Sequence, residues 1–539
     1  MAQDISGTPL AIAAAQTARQ VAYAVYVDFN DVGFSVYPTG WTDVTEFVKR
    51  LTGDHQATDW RKSIAVVGSG VADEVTVTLR NPEETSPYSG LRYSASNVYS
   101  SLYDEIGDGL INMKRAVVEM GFTYLGSDYR VRQITGYITG FNDNRRGRDV
   151  TFTIRDRAAA ATQARVTSGL YRNQTAGTYM ATLAALLDID PPSSSEQVLD
   201  NGMIIMPYAW LDDDAIWEEM STVAEAQLGR IWFDKDGCLH FEDGSHFVKP
   251  ADNSYDDPTT SQFSFTAGNV QSVDARYDMP SIFNHIIVEY QPRYLATQQT
   301  IYNATETTVI PPEGNRTVTC EFRYPVQDLP WWEEGGPMTE LDVTVSACTG
   351  GGIDITDDIS LQVATYATKA VIRLANGNEN FAAYVYQLDI DGQPLLSEQA
   401  DSYEVEDSTS IGRYGRRTWT VHNPYIVQYR HAQTVADYLL SRYKDPIQVV
   451  RIAGARGVPW LEPGDRVTVT DSLSGIDDDY FLTHIRWSFA PNAAYTMDCT
   501  AMRASDLFPY SDYFIVGTDY YGYPTTPTST SSIYGRMFW

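Results

Sequence analysis

Apolar and polar positions alternate with a period of two through much of the first third of the chain. Tyr23, Val25, Val27 and Phe29 alternate with Ala24, Tyr26 and Asp28. Val75, Val77 and Leu79 alternate with Thr76, Thr78 and Arg80, and Val150, Phe152 and Ile154 with Thr151, Thr153 and Arg155. Successive side chains of a strand point to opposite faces, so these runs predict antiparallel sheet with one buried face and threonine on the wet one. Gly, Asn and Asp clusters break the runs into short strands, as in a barrel or sandwich. Residues 21–157 are read as one such β domain, preceded by an N-terminal arm, 1–20.

From 158 to 263 the period lengthens. Ala176–Leu187 and Asp213–Leu228 predict helices, the second with Ile216, Met220, Val223 and Gln227 on one stripe. Asp212, Asp213 and Asp214 stand where carboxylates cap free N–H groups, and Gly229 stands where a helix ends. The run IWFDKDGCLHFED predicts a hairpin turning at Asp236-Gly237. Strand signals resume at Phe283–Tyr290. Residues 293–422, rich in Thr, Gly, Asp and Tyr, predict an inserted β-rich domain with long loops. A helix at Ala432–Tyr443, closed by Asp445-Pro446, leads to strands at Arg466–Thr470 and Tyr480–Phe489. These last strands complete a second β domain made of 264–292 and 423–505. The extension 506–539, rich in Tyr, Pro, Ser and Thr, cannot bury much by itself. The expected class is mainly β, in a multi-domain α+β chain.

Composition narrows the function. A length of 539 residues calls for several cores. The 36 tyrosines suit half-buried sheet faces and contact surfaces, because the ring packs while the hydroxyl stays wet. A net charge of −31 argues against a protein that neutralises phosphates to grip nucleic acid, and leaves room for an acidic surface that DNA passes without sticking. Cys238, Cys320, Cys348 and Cys499 include no CxxC pair, so neither a zinc site nor a disulfide framework is indicated. A single Cys320–Cys348 bridge stays open. The N-terminus has no basic start before its short apolar patch and does not read as a signal peptide, and no run reaches the ~20 apolar residues of a membrane span. The expectation is a soluble product not exported by a classical signal.

Candidate chemistry is sparse. Asp234, Asp236, Glu242 and Asp243 could suggest a calcium loop, but the EF-hand spacing is absent and a turn is the simpler reading. The clusters Asp354–Asp358 and Asp477–Asp479 read as solvated loops, and His240 and His246 as strand-edge histidines rather than zinc ligands. No nucleophile elbow, zincin helix or phosphate loop stands in a fitting context, so no catalytic, metal or cofactor residue is assigned. Trp331 and Trp332 read first as packing within the insert; because aromatic faces also stack on sugar rings, they are in addition the candidate receptor or carbohydrate contacts.

One ordered series is more specific. Trp41-Thr-Asp43-Val44-Thr45 is followed by Val75-Thr-Val77-Thr-Leu79-Arg80-Asn81-Pro82 and Ser86-Pro87-Tyr88, then Gly136-Tyr137-Ile138 and Val150–Asp156. This series resembles the first domain of the minor tail, or tail-hub, proteins of long-tailed phages. Ile216–Glu242 is similar to that family's helix-plus-hairpin module, and Arg442-Tyr443-Lys-Asp445-Pro446 and Pro463-Gly464-Asp465-Arg466-Val467 are similar to its later segments. The 293–422 block departs from the family pattern.

The resemblance implies two tube-protein-like β-barrel domains per chain and a homotrimeric ring with pseudo-sixfold symmetry at the virion's tail tip. Such a ring, assembled in the host cytoplasm, would join the tail tube or distal tail protein and the tape measure protein to tip fibres or receptor-binding proteins. DNA would pass through its lumen without specific binding, and the insert could reach the host surface. The other readings are a receptor- or carbohydrate-binding tail protein using the insert, and a cell-wall-degrading tail enzyme.

Overall fold

The structure, a computed structural model, describes residues 8–16, 18–57, 71–84, 90–93, 113–144, 146–244, 260–327, 342–491 and 493–507. The protein is mainly β. Twelve strands carry its architecture: β1 (Gln20–Val27), β2 (Val48–Gln56), β3 (Glu74–Arg80), β4 (Arg115–Tyr124), β5 (Ser127–Asn144), β6 (Asp149–Asp156), β7 (Phe263–Thr266), β8 (Ser272–Asp278), β9 (Ile447–Arg456), β10 (Arg466–Asp471), β11 (Ile476–Phe489) and β12 (Thr496–Arg503). With the two-residue strand Thr42–Asp43 beside β1, they form one sheet of 13 strands.

The sheet contains the same unit twice. In the first half the strands lie in the order β1-β4-β5-β6-β3-β2, and in the second β7-β10-β11-β12-β9-β8. Numbered within each half, both read 1-4-5-6-3-2. The fifth strand of each carries a bulge at one threonine, Thr139 or Thr483. The Thr139 hydroxyl donates to Thr153 O at 3.4 Å and the Thr483 hydroxyl to Thr500 O at 3.1 Å, at matching positions of the sixth strand. Before the fourth strand, Met113 (φ 74) and Gly464 (φ 98) take the left-handed conformation. Their N–H groups donate to Ile138 O and Leu482 O, at 2.8 and 2.6 Å. The halves differ at their first strand, since β1 runs antiparallel to β4 and β7 parallel to β10.

Among the described residues, neither unit closes on itself, because no hydrogen bonds link its first strand to its second. Instead β2 pairs antiparallel with β11, from Leu51↔Phe489 to Gln56↔His484, and joins the halves into one sheet. Their inward side chains share one apolar core, including Val25, Leu51, Val77, Val118, Phe152, Val450, Val469 and Leu482. Asp28, expected on the wet face of β1, is fully buried. Its carboxylate accepts from Val32 N at 3.0 Å, Gly33 N at 2.9 Å and Arg115 at 3.3 Å, which offsets the cost of burying charge.

The two predicted helices of the module are α1 (Ala176–Ala185) and α2 (Ile216–Ala226). Asp212–Ala215 does not cap α2 but forms a short strand beside Arg165–Thr167. Three adjacent carboxylates keep their exposure there, and Ala215 is the N-cap, without a side-chain bond. Gly229 lies beyond α2, where Leu228 turns left-handed; a Cβ on Gly229 would meet Glu242 O at 2.1 Å. The long helix α3 (Tyr429–Tyr443) packs on a small sheet in which His285–Tyr290 lies between Asp401–Glu406 and Thr418–His422. That sheet differs from the sequence reading, which placed 285–290 in the second β domain and 401–422 in the insertion. A second core unites α1, α2, α3 and the hairpin. The insertion has a third core between two sheets, one built on Ala383–Gly392 and one on Lys369–Asn376.

Candidate assembly site at the seam of the two sheet units

The seam is built from residues that only its own neighbours explain. At Gly53 a Cβ would lie 2.1 Å from Trp487 Nε1, so the indole occupies the space a side chain would need. That indole N–H donates to His55 Nε2 at 3.0 Å, and His55 Nδ1 lies 2.7 Å from Asp73 Oδ2. The pattern fixes a tautomer with the proton on Nδ1. An Asp–His pair is also the orienting half of a nucleophile-activating group, but Trp487 occupies the lone pair on Nε2 that a general base would use. Asp73 N in turn donates to the buried Asp156 carboxylate at 2.9 Å. Burial, and then the charge of Asp73, raise the Asp156 carboxyl well above the ordinary range. On the outer face of the seam Asp54 accepts from His484 and, at 2.9 Å, from Arg486. Burial raises the Asp54 carboxyl, but the hydrogen bonds and charges of His484 and Arg486 outweigh it and hold it below the usual carboxylate range.

The predicted hairpin clasps this seam from outside. Its strands are Arg230–Phe233 and Leu239–Glu242, and Gly237 (φ 87) supplies the turn. From the first unit, Thr135 Oγ1 donates to Lys235 O at 2.9 Å, Arg132 to Asp236 O at 3.0 Å and Arg157 to Gly237 O at 2.9 Å. Toward the second unit, Lys235 Nζ donates to Pro459 O and Leu461 O at 3.0 and 2.8 Å, and Arg230 to Pro463 O at 2.9 Å. Lys235 is buried, which lowers the pKa of its ammonium against the opposing charges of Glu462, Asp465, Asp73 and Asp236. Arg230 pairs with Glu242 at 2.6 Å, both side chains buried, and its guanidinium lies 3.9 Å from the Trp232 ring centre. It also rests on Gly464, where a Cβ would be 2.2 Å from Nη1. Removing one partner of such a pair strands a buried charge, at a cost of about 3–5 kcal/mol.

A second tie runs from the module to α3. The hydroxyls of Tyr179 (2.7 Å) and Tyr425 donate to Glu219, whose carboxyl is raised by burial despite those bonds. His431 Nε2 donates to Ala226 O at 2.7 Å, and burial pushes its pKa down to about 4.

Most of the acids singled out in the sequence have protein partners. Asp234 accepts from Cys238 N at 2.8 Å and pairs with His240 at 2.9 Å. Asp477 and Asp479 accept from Thr470 and Arg466 across β10–β11, and Asp354 accepts from Thr356 N. Among the described residues one group has metal-ligand spacing: His285, Glu404 and Glu406. Both His285 nitrogens are engaged, with Thr418 and Glu404, and Glu406 pairs with Arg416 at 2.6 Å. Cys238, Cys320, Cys348 and Cys499 are free thiols. Trp331, Trp332 and His246 lie outside the described residues. Among those described, no helix is long and apolar enough to cross a membrane. The sequence reading missed Gly53, His55, Trp487, Arg230 and Lys235, whose roles depend on partners hundreds of positions away.

Fold and seam together define a duplicated β-sheet protein whose halves are locked by a polar clasp. No family model and no curated protein match the chain. Among solved structures it is similar to the tail protein from Neisseria meningitidis MC58, with 13% identity, a TM-score of 0.46, and coverage of 91% of this chain and 99% of that one. It is also similar to the 43 kDa tail protein of prophage MuSo2 from Shewanella oneidensis (11% identity, TM-score 0.44, 90% and 99% covered). The prophage tail protein gp18 from Listeria monocytogenes EGD-e follows at 8% identity and a TM-score of 0.39, with 89% and 94% covered.

Proposed function

We propose that this chain is a structural, non-enzymatic hub protein of a phage tail tip. Three copies, each supplying two equivalent sheet units, form a ring of six units around a channel. The supporting observation is the duplication: one strand order, one bulged threonine and one left-handed turn occur in both halves. A chain with two like units can meet a sixfold tube on one side and a threefold tip or fibre on the other. The clasp suits this role, since a ring needs a fixed angle between units. The net charge of −31 suits a lumen through which DNA slides. Tube, distal tail, tape measure and fibre proteins are the partners this reading calls for, in a virion.

Mass photometry and negative-stain imaging of the purified chain test it. The expected particle has three times the 60.2 kDa chain mass and a threefold ring outline. A monomer at every concentration, also in the presence of tail-tube protein, overturns the reading.

A second reading concerns the insertion alone. Phe381, Tyr384 and Tyr386 are exposed there, an aromatic surface suited to sugar or receptor contact. Glycan-array binding that is lost on Trp332→Ala or Tyr386→Ala supports it, and absence of binding by the intact chain removes it.

A further inference from the structure

The second strands of the two units are equivalent, yet their surroundings are opposite. Pairing with the third strand aligns Leu51, Gly53, Asp54 and His55 of β2 with Val273, Ala275, Arg276 and Tyr277 of β8. In β2 the inward positions are covered by β11, so Leu51 is 0% and His55 1% exposed. In β8 the equivalent positions are less covered: Val273 is only half-buried against the core, Ala275 is exposed, and Tyr277 is 53% exposed. No described strand pairs with the outer edge of β8.

The fifth strands show the reciprocal gap. After its bulge, β11 uses His484–Phe489 to receive β2 on the side its first half gives to β10. The bulge aligns His484–Ser488 with Gly140, Phe141, Asn142, Asp143 and Asn144 of β5. On the β4 side, pairing of β5 stops at Tyr137, and no described strand continues it. Ile485 and Trp487 are 2% and 4% exposed, whereas Phe141 and Asp143 are only half-buried. Among the described residues, one interface covered inside the chain thus has a matching one that no strand covers, split between its two ends.

We propose that β8 of one copy adds antiparallel to the distal half of β5 of the next copy, in the register of β2 on β11. Carried across, that register sets Asp278 opposite Gly140, Tyr277 opposite Phe141, Arg276 opposite Asn142, Ala275 opposite Asp143 and Asp274 opposite Asn144. Tyr277 and Phe141 form a cross-strand aromatic pair on the inner face, where His55 meets Ile485 within the chain. Backbone hydrogen bonds satisfy two edges that otherwise invite nonspecific pairing. β8 guards its edge with no proline, and its inward positions carry no charge, as an edge built to be paired would. The contact is head-to-tail, so it propagates around a ring instead of ending at a dimer. It rests on the ring reading and names the residues that close it.

Cysteine pairing in the full-length chain tests the register. Asn142→Cys combined with Arg276→Cys is expected to give dimers and trimers on non-reducing gels after mild oxidation. Asn142→Cys combined with Tyr277→Cys, whose side chains fall on opposite faces, is expected to give at least tenfold less. Hydrogen exchange on the unmodified chain is the second arm: amides at 139–144 and 272–278 should slow together on oligomerisation. An oligomer of confirmed mass with neither cross-link nor slowed exchange overturns the edge pairing and leaves the ring standing. A chain that is monomeric throughout overturns both.

Discussion

Single residues set the pH response of this protein. His431 is buried between α3 and α2 as a neutral donor to Ala226 O, with its pKa near 4, while an unfolded histidine titrates near ~6.5. Between those values the unfolded chain binds more protons than the folded one. The stabilisation is therefore complete above about pH 6.5 and declines as pH falls toward 4, by up to roughly 3 kcal/mol. Asp156 and Glu219, raised by burial, act with the opposite sign, so the readout is the difference in denaturant unfolding between the chain and His431→Gln across pH 4–7, which should shrink as pH falls. A slope unchanged by the substitution would assign the acid sensitivity elsewhere. Asp28 teaches the same lesson from sequence: alternation put it on the wet face of β1, but Val32 and Gly33 N–H groups and Arg115 made burial tolerable.

Among elements, the joint of β2 with β11 decides most. Gly53 has no room for a side chain because Trp487 lies over it. Gly53→Ala is expected to cost about 1–3 kcal/mol through overpacking. Combining it with Trp487→Leu should recover part of that loss, and a double-mutant cycle would then read a coupling of at least about 0.5 kcal/mol. Strict additivity would mean that the indole does not press on the glycine. The hairpin Arg230–Glu242 is the opposite case for legibility. Its Asp236-Gly237 turn and strand alternation stand in the sequence, and the structure keeps them. That the turn lies across both sheet units could not be read there, because the acceptors for Lys235 are Pro459 and Leu461, more than 220 positions away.

At the scale of the molecule, the described part of residues 296–394 folds around a core apart from those of the sheet units and the module. The insertion leaves and re-enters the body through adjacent strands, with Arg293 opposite Ser397. It touches the module through Leu170, Ala367 and Leu395, with Ala367 N donating to Ser168 O at 2.8 Å. Replacing residues 296–394 by a short Gly/Ser turn should leave the oligomeric state unchanged, by mass photometry, and lower the protomer mass only by the residues removed. Loss of assembly would show that the insertion belongs to the ring.

Period and punctuation along the sequence determined the strands of the alternating runs, the bodies of the three helices, where the hairpin turns, and where α3 ends. These are properties of neighbouring residues, decided by which side chains point the same way and by what Gly and Pro permit. The partners of those segments were decided only by the tertiary structure. β2 and β11 are separated by about 430 residues, and nothing local distinguishes Gly53 as a seat for Trp487 from any other strand glycine. The assignment of 285–290 to a sheet with 401–406 and 418–422, the burial of Lys235, and the twofold use of one strand order belong to the same class. Each follows from shape and hydrogen-bond satisfaction between distant surfaces, which exist only once the chain has folded.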